Sequence, residues 1–547
     1  MLNVQIDGVW LQFPKGTRLI EACSQAQKFI PRYCYHPKLT APGNCRMCLI
    51  ELGMPKMGPD RKPVVGPDGK PEIGWIPRPQ ISCAQDVAEG MAVRTDSPMV
   101  QECRQGVMEF LLINHPLDCP ICDQAGECRL QEFSVEYGNS SSRFLERKVK
   151  KPKNIELGPR VTLDAERCVL CSRCIRFMKE VANDDVLGFV DRGSFSTIAC
   201  HPERVLDSNY SLNTVDICPV GALTSSDFRF KMRVWFLKET KTIDVNDGLG
   251  SNITVGSREN VIYRITPREN NDVNGVWLPD SHRLNFKYVG ASNRFKLPQI
   301  KAQPVDWRTA IAVAAEILKA HSSESIAMIA SARMTNEELF VARLLAHQLN
   351  IAPERLDVLP RTGEPDGILI PADRNSNTTG AKLLGVSASE PGSHLPGIAQ
   401  GVRSGAIKVL ICFEDATKCG MTAEELSKIA LIVIDILPNA TSALASVLLP
   451  SSAWVEKRGS LININGRLQR INRAVQPPDQ ARDDWEILRD LLTALGGTNS
   501  LNSIEEVFKL MAGEHAEFAG LSLSKIGDLG VPLSLTPATA TLQEAAN

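Results

Sequence analysis

Apolar residues recur at every second position near the start of the chain, in Val4, Ile6, Val9, Leu11 and Phe13. This period of two predicts two half-buried strands, and Asp7-Gly8 between them is a typical hairpin turn. A helix is expected over residues 18–29, ended by Pro31. Together with the cysteine loop that follows, these elements predict a small α+β domain over residues 1–85.

The hydrophobic pattern is different in the second half of the chain. Predicted helices alternate with short, continuously apolar runs such as SIAMIA, IKVLICF and LIVIDI. Runs of this kind are typical of buried strands in a parallel sheet. We therefore predict an α/β region over residues 296–520, preceded by a small β-rich domain over 231–295. Residues 521–547 show no clear periodicity and are expected to form a flexible tail.

Residues 53–79 interrupt the first domain with seven prolines and five glycines. Such a composition breaks helices and strands, so we predict a surface excursion there. A domain is predicted over residues 86–150, helical over 97–135 around a second group of cysteines. A further cysteine group defines a domain over residues 151–230.

The composition excludes several classes of protein. With 547 residues and a net charge of −2, the chain has no overall bias towards nucleic acid or anionic lipid. Its 16 cysteines are too few for a disulfide scaffold, and most cluster as C-x-x-C in the first 220 residues. This clustering is typical of metal thiolate sites in a reducing compartment. We find no signal peptide and no apolar run long enough to span a membrane.

The first candidate ligand set is Cys34, Cys45, Cys48 and Cys83. Four thiolates can hold a [2Fe–2S] cluster, although this spacing differs from that of plant-type ferredoxins. Gly43 lets backbone N–H groups approach the sulfides, and such hydrogen bonds tune the reduction potential. A structural zinc site with four thiolates is the alternative.

The second set comes from the segment INHPLDCPICDQAGEC and consists of His115, Cys119, Cys122 and Cys128. An imidazole in place of one thiolate makes a cluster less negative, and His ligation raises the potential of Rieske centres. We expect a [4Fe–4S] cluster here whose potential is shifted by His115.

The third set is the run C-x2-C-x2-C followed by a distant Cys-Pro, namely Cys168, Cys171, Cys174 and Cys218. This is the bacterial ferredoxin pattern for a [4Fe–4S] cluster. Zinc seldom uses three cysteines at such tight spacing. Three clusters on one chain predict an electron conductor.

With these three sets in this order, the chain resembles the large iron–sulfur subunit of the peripheral arm of NADH:quinone oxidoreductase, the NuoG family of respiratory complex I. The similarity is close through GVMEFLLINHPLDCPICDQAGEC, ERCVLCSRCIRFMKEV and DICPVGAL, and weaker through residues 447–488. It implies a multidomain α+β and α/β protein: a β-grasp [2Fe–2S] domain, a His-ligated [4Fe–4S] domain, a ferredoxin-like [4Fe–4S] domain and a degenerate molybdopterin-oxidoreductase-like region.

The resemblance also implies partners and an electron path. Electrons would arrive from the NADH/FMN-binding subunit and pass through the first, third and second sets towards quinone. Other peripheral-arm subunits would be neighbours, with the membrane arm reached only indirectly, on the cytoplasmic face of the bacterial inner membrane. No substrate site, molybdopterin or nucleic-acid partner is expected on this chain.

Some members of the family carry a fourth cluster, and this chain lacks its cysteines. Asp244, Asp247 and Ser251 stand at the three corresponding cysteine positions, and Pro279 follows Trp277-Leu278 where a fourth cysteine would be. We therefore expect no fourth cluster.

Four other functions share part of this pattern. A NAD-dependent formate dehydrogenase catalytic subunit needs a metal-binding cysteine and the fourth cluster, and an iron-only hydrogenase needs more cysteines than the two in the α/β region. A diaphorase subunit of a NAD-linked hydrogenase typically ends near residue 240. A zinc-stabilised scaffold would need zinc in all three sets.

Overall fold

The computed structural model describes residues 1–67, 69–497 and 501–535. The chain divides into two compact units, Met1–Phe236 and Leu237 onwards. Within the described ranges, no helix is both long enough and apolar enough to cross a bilayer.

A mixed sheet with one helix forms the start of the first unit. Its elements are β1 (Leu2–Ile6), β2 (Val9–Phe13), α1 (Leu19–Gln25), β3 (Leu49–Pro55), β4 (Ile73–Trp75), β5 (Gln80–Ile81) and β6 (Ala92–Arg94). The strand order is β2-β1-β6-β3-β4, with β5 on β3, and only β1 and β6 are parallel. Asp7 and Gly8 both have positive φ, 46° and 86°, which confirms the predicted hairpin turn.

Two details of this domain differ from the prediction. Strand β6 lies at the centre of the sheet, so the domain continues past the expected boundary at residue 85. The three residues of β6 are too few to show a period. Helix α1 ends at Gln25 rather than near Phe29, because Gln27 adopts a left-handed φ of 59°.

The Pro/Gly excursion is built from a tandem repeat of eight residues, GPDRKPVV followed by GPDGKPEI. Each copy forms the same tight turn: the N–H groups of Gly58 and Gly66 donate to the carbonyls of Lys62 and Lys70, both at 2.8 Å. The outer part is exposed, with Met57 at 59% and Val65 at 60%. Its base belongs to the sheet, because β3 pairs with both β4 and β5.

Short elements joined by cysteine-bearing loops make up the rest of the first unit. They are α2 (Pro98–Leu112), α3 (Arg129–Tyr137), β7 (Ile155–Glu156), β8 (Val161–Leu163), α4 (Arg173–Glu180), β9 (Leu187–Val190), β10 (Thr197–Cys200), α5 (Asn213–Asp216) and β11 (Leu223–Ser225). Helix α2 begins where the Ser97 side chain accepts the N–H of Val100, with Pro98 as its first residue.

The second unit begins with an antiparallel meander, which confirms the predicted β-rich segment. It consists of β12 (Lys238–Ile243), β13 (Asn252–Arg258) and β14 (Val261–Pro267), followed by helix α6 (Asp280–Leu284).

A seven-stranded sheet forms the core of the α/β region, in the order β16-β15-β21-β20-β19-β17-β18. Strands β18, β17, β19, β20 and β21 are parallel, as the apolar runs predicted. The elements are β15 (Gln299–Ile300), β16 (Gln303–Pro304), α7 (Trp307–Lys319), β17 (Ile326–Ala330), α8 (Asn336–Gln348), β18 (Leu356–Val358), α9 (Thr378–Leu383), α10 (Leu395–Ser404), β19 (Val409–Cys412), α11 (Ala423–Leu426), β20 (Ala430–Asp435), β21 (Val447–Pro450), β22 (Gly459–Ile462), β23 (Arg467–Ile471), α12 (Asp484–Ala494), α13 (Ile504–Glu514) and β24 (Val531–Pro532).

The end of the chain is packed as far as the structure describes it. Leu523 and Ile526 are buried in the core, and β24 pairs with β23. The prediction of a flexible tail is therefore wrong for residues 521–535, and residues 536–547 lie outside the described part. A few apolar residues, Leu521, Leu523, Ile526 and Leu533, are enough to dock this segment but too few to produce a clear periodic pattern.

Shortening the excursion tests whether it supports the first ligand set. In the register of β3 and β4, Pro55 lies opposite Ile73, so Asn-Gly can replace residues 56–72 as a two-residue hairpin turn. We expect the shortened chain to keep the EPR signal of a [2Fe–2S] cluster, because the β3–β5 pairing that holds Cys48 near Cys83 is untouched.

The matched control is Gly53→Val at the base of the hairpin. A Cβ on Gly53 would lie 2.3 Å from Ile73 Cγ2, and Gly53 lies between β4 and β6, so valine should displace β3 within the sheet and weaken the signal. Loss of the signal in the shortened chain would instead mean that the excursion is part of the cluster domain's fold.

Candidate metal centres

The first ligand set is brought together by loops at the ends of β3 and β5. The Cys34 sulfur shares hydrogen bonds with the sulfurs of Cys45 and Cys83, and that of Cys48 shares one with Cys83. The bond to Cys45 lowers the pKa of Cys34 to about 2, and the bond to Cys83 lowers the pKa of Cys48 to about 7. Four sulfurs linked by these three contacts offer the donor set of a small iron–sulfur cluster.

The loop carrying Cys45 and Cys48 turns its backbone amides towards these sulfurs. Gly43 and Arg46 both have left-handed φ, 64° and 60°. The N–H groups of Asn44 and Cys45 donate to the Cys34 sulfur, and that of Met47 donates to Cys45. Such donors stabilise thiolates and tune a bound cluster.

The second ligand set lines a cavity of about 910 Å³ together with Arg167 and Gly221. His115 follows helix α2, Cys119 and Cys122 lie in a short turn, and Cys128 directly precedes α3. Burial, assisted by Arg167 and Lys148, lowers the pKa of His115 to about 4. The imidazole is therefore neutral at physiological pH, which is the form that binds a metal.

The third ligand set lines a second, smaller cavity with Arg173 and Pro219. Leu170 and Ser172, on either side of Cys171, have left-handed φ of 52° and 62°, so the chain wraps around its sulfurs. The Leu170 N–H lies 3.4 Å from the Cys168 sulfur.

The buried thiols of these two sets fit bound iron. Burial raises the pKa of Cys168 to about 12, and that of Cys171 and Cys128 to about 11. Groups of this kind become thiolates near pH 7 only beside a cation, and iron coordination supplies it.

The third set contacts the first through its loops. The Asn44 side chain donates to the Leu170 carbonyl at 3.4 Å, so the two cysteine loops touch. Arg173 and Arg176 on helix α4 also donate to carbonyls of the first domain, those of Tyr35 and Cys34.

The third set contacts the second through the segment that follows Cys218. The Arg129 N–H donates to the Pro219 carbonyl at 3.2 Å. A Cβ on Gly221 would lie only 2.2 Å from the Cys122 sulfur. One short segment thus provides a ligand of the third set and a wall of the second. Sequence reasoning singled out the Cys-Pro pair but missed the role of Gly221.

An aromatic cluster separates the first set from the second. Tyr33 is fully buried, packs edge-on against Phe133 with ring centroids 5.4 Å apart, and donates to the Met108 sulfur at 3.4 Å. The first and second sets thus meet through aromatic side chains, whereas the loops of the third set contact both other sets.

The residues at the expected fourth-cluster position form a buried triad with a partner that sequence reasoning missed. His282 Nδ1 lies 2.7 Å from Asp244 Oδ2 and 3.7 Å from Asp247 Oδ2. The Ser251 carbonyl accepts the Asp244 N–H at 2.7 Å. Burial, together with Asp244, raises the pKa of Asp247 to about 7. These side chains pair with each other, and His282 lies too far along the chain for any spacing motif to reveal it.

Five cysteines remain outside the three sets. Cys23 on α1 and Cys412 in β19 are buried in hydrophobic clusters, as predicted for small core residues. Cys419 also lies in a hydrophobic cluster, whereas Cys103 and Cys200 are half-buried.

Family models define the class of protein as an iron–sulfur electron carrier. Matches cover a 2Fe-2S iron-sulfur cluster binding domain (residues 1–98), an NADH-ubiquinone oxidoreductase-G iron-sulfur binding region (104–143) and the ferredoxin-like domain of NADH-quinone oxidoreductase subunit 3 (158–224). Two more cover an NDSU1/NuoG-like 4Fe-4S domain (237–287) and molybdopterin oxidoreductase (353–494). Residues 237–287 contain no cysteine.

Relatives then identify the family. The G subunit of the NADH-quinone oxidoreductase of Rickettsia felis is 31% identical, over 95% of this chain and 92% of its own length. The mitochondrial NADH dehydrogenase [ubiquinone] iron-sulfur protein 1 of Solanum tuberosum is 41% identical, over 64% of this chain and 45% of its own. The chain belongs to the NuoG family of NADH-quinone oxidoreductase subunits.

Among solved structures, an NAD+-reducing [NiFe]-hydrogenase in the H2-reduced state is 25% identical over 43% of this chain and 91% of its own. Its TM-score of 0.35 is too low to support a conclusion.

The contact at Gly221 generates a test of the second ligand set. Gly221→Ala places a methyl group against the Cys122 sulfur and should displace that ligand. We expect the variant to lose the [4Fe–4S] EPR signal of the second set while keeping that of the first. Gly106→Ala on helix α2 is the matched control, because a Cβ there meets no atom within 4 Å. A second-set signal of normal size in Gly221→Ala would contradict this geometry.

Proposed function

We propose that this chain is the iron–sulfur electron-transfer subunit of an NADH:quinone oxidoreductase, relaying electrons from an NADH/FMN-binding subunit towards quinone. The observation that carries the proposal is the contact of three four-ligand sets within one compact unit, Met1–Phe236. Membership of the NuoG family supports it.

Each ligand set is assigned a cluster by its donors. Cys34, Cys45, Cys48 and Cys83 would hold one [2Fe–2S] cluster. His115, Cys119, Cys122 and Cys128, and likewise Cys168, Cys171, Cys174 and Cys218, would each hold a [4Fe–4S] cluster. When bound, each cluster accepts and releases one electron at a time. The protein contributes ligands, burial and hydrogen bonds to the sulfurs.

The relay runs from the first set to the third and then to the second. The third-set loops contact both other sets, whereas the Tyr33 cluster lies between the first and the second. Spatial order therefore differs from chain order, which supports the path that the resemblance implied.

The second set is the point of electron exit. Cys119 is exposed, and the apolar side chains of Phe110, Leu117 and Val135 line the same cavity while remaining 78%, 90% and 89% exposed. Apolar groups exposed beside a redox site mark a protein interface. A cluster-carrying subunit of the peripheral arm would cover them. The chain would thus lie at the cytoplasmic face of the inner membrane through its complex.

The second unit is assigned neither molybdopterin nor a fourth cluster. At the carboxyl ends of the parallel strands, where α/β sheets bind ligands, Ser331 donates to Glu414 at 2.6 Å and Arg361 pairs with the same carboxylate. A cofactor there would have to break these pairs. The fourth-cluster position holds the Asp244–Asp247–His282 triad in place of thiolates.

Removing a ligand of the third set, which lies in the middle of the proposed path, tests the relay. In the assembled complex, Cys171→Ser should reduce NADH-driven quinone reduction to near background while leaving NADH oxidation by ferricyanide largely intact, because the flavin end of the path is unaffected. Cys200→Ser is the matched control, a half-buried cysteine of the same domain outside the ligand sets. Quinone reduction at the parent rate in Cys171→Ser would place this cluster off the path.

A further inference from the structure

Two arginines of helix α4 lie between the first and third ligand sets. Arg173 donates to the Tyr35 carbonyl at 2.5 Å and to the Ile217 carbonyl at 3.0 Å, next to Cys34 and Cys218 respectively. Arg176 donates to the Cys34 carbonyl at 2.5 Å and lies 3.5 Å from the Cys171 carbonyl. Each guanidinium therefore bonds to backbone carbonyls in the loops of both ligand sets.

The charges of these arginines are not balanced by carboxylates. Within the described residues, neither one forms an ion pair, and their acceptors are carbonyls and the Ser172 hydroxyl. Arg167, which lies between the third and second sets, is different. It pairs with Asp118 at 3.1 Å and with Asp164 at 3.2 Å. Two positive charges without a direct ion pair thus lie in the gap between the first and third sets, and the nearby Glu180 carboxylate is bonded to Thr40 instead.

Arg173 also has an unused donor. Its side chain lines the third cavity, and its buried Nε–H has no hydrogen-bond partner among the described residues. A buried donor of this kind is available to an acceptor that enters the third cavity. The sulfurs of a cluster held by the third set are acceptors of this kind.

The electrostatic consequence follows from the charges of the clusters. A cluster with four thiolate ligands is anionic and becomes more so on reduction, so two neighbouring clusters oppose each other's reduction. A nearby guanidinium stabilises the reduced form more than the oxidised form, and the partly buried position limits screening by water and salt.

We propose that Arg173 and Arg176 form a cationic bridge that raises the reduction potentials of both the first and the third clusters. The negative charges of the first and third clusters oppose each other's reduction, and the bridge allows the same electron donor to reduce both. It also positions the two cysteine loops against each other. This inference rests on the proposed relay function.

The test compares charge removal with charge retention in the assembled complex. Arg173→Gln and Arg173→Lys are titrated with a redox mediator series while EPR follows each cluster. We expect Arg173→Gln to lower the midpoint potentials of the first and third clusters, and Arg173→Lys to return them towards the parent values. The second cluster should not move, because Arg167 remains paired with its carboxylates.

Lys179→Gln provides the matched control. Lys179 lies on the same helix, carries the same charge, is 67% exposed and pairs with Asp185 at 3.3 Å. Solvent screening should leave all three potentials at their parent values in this variant.

Unchanged first and third potentials in Arg173→Gln would overturn the bridge and leave the relay itself standing. Absence of the three cluster signals from the parent complex would overturn the proposed function instead. If Arg173→Gln fails to hold a cluster, Arg176→Gln gives the same readout from a side chain outside the third cavity, and unchanged potentials there would likewise reject the bridge.

Discussion

The proposed relay requires four ligand atoms to converge on one point, three times over, and this requirement dominates the first unit. Loops carry most of the ligands: the second set comes from one short segment between α2 and α3, whereas the first and third sets each join a distant cysteine, Cys83 or Cys218, to a cysteine loop. Strands β3 and β5 serve mainly to place Cys48 beside Cys83, and the left-handed residues Leu170 and Ser172 serve to fold a loop around Cys171. Burial disfavours the thiolate form of these cysteines and iron coordination offsets that cost, so the fold and its clusters would stabilise each other.

Charge is the second organising factor in the first unit. Arginines lie between neighbouring ligand sets, but their hydrogen-bond and ion-pair partners differ. Arg167 is neutralised by Asp118 and Asp164 beside the second set, whereas Arg173 and Arg176 face only neutral acceptors beside the first and third. In the second unit, by contrast with Arg173 and Arg176, buried charged side chains form ion pairs with each other and are not free to bind a ligand. Lys457, fully buried between Glu338 and Asp484, is the clearest example of such a closed network.

Patterns that depend on neighbours in sequence were predictable, and those that depend on the fold were not. The Asp7-Gly8 turn, the apolar strand ending at Cys412 and the parallel sheet follow from local rules and were confirmed. The twelve expected ligands lie in three groups of four, and their assignment to clusters stays a prediction. C-x-x-C spacing is a local rule, whereas the distant Cys83 and Cys218 are brought to their groups by the fold. The three-residue strand β6, the packing of Leu523 and the pairing of His282 with Asp244 depend on distant partners, so no period or motif encodes them.

The measurement that tests the account most directly is the metal content of the chain purified without oxygen: iron, acid-labile sulfide, zinc, molybdenum and tungsten per polypeptide. The three ligand sets predict about ten irons with a matching amount of sulfide and none of the other metals. Zinc in place of iron would contradict the electron relay. About fourteen irons with molybdenum or tungsten would show that the second unit binds the cofactor and the fourth cluster that we expect it to lack.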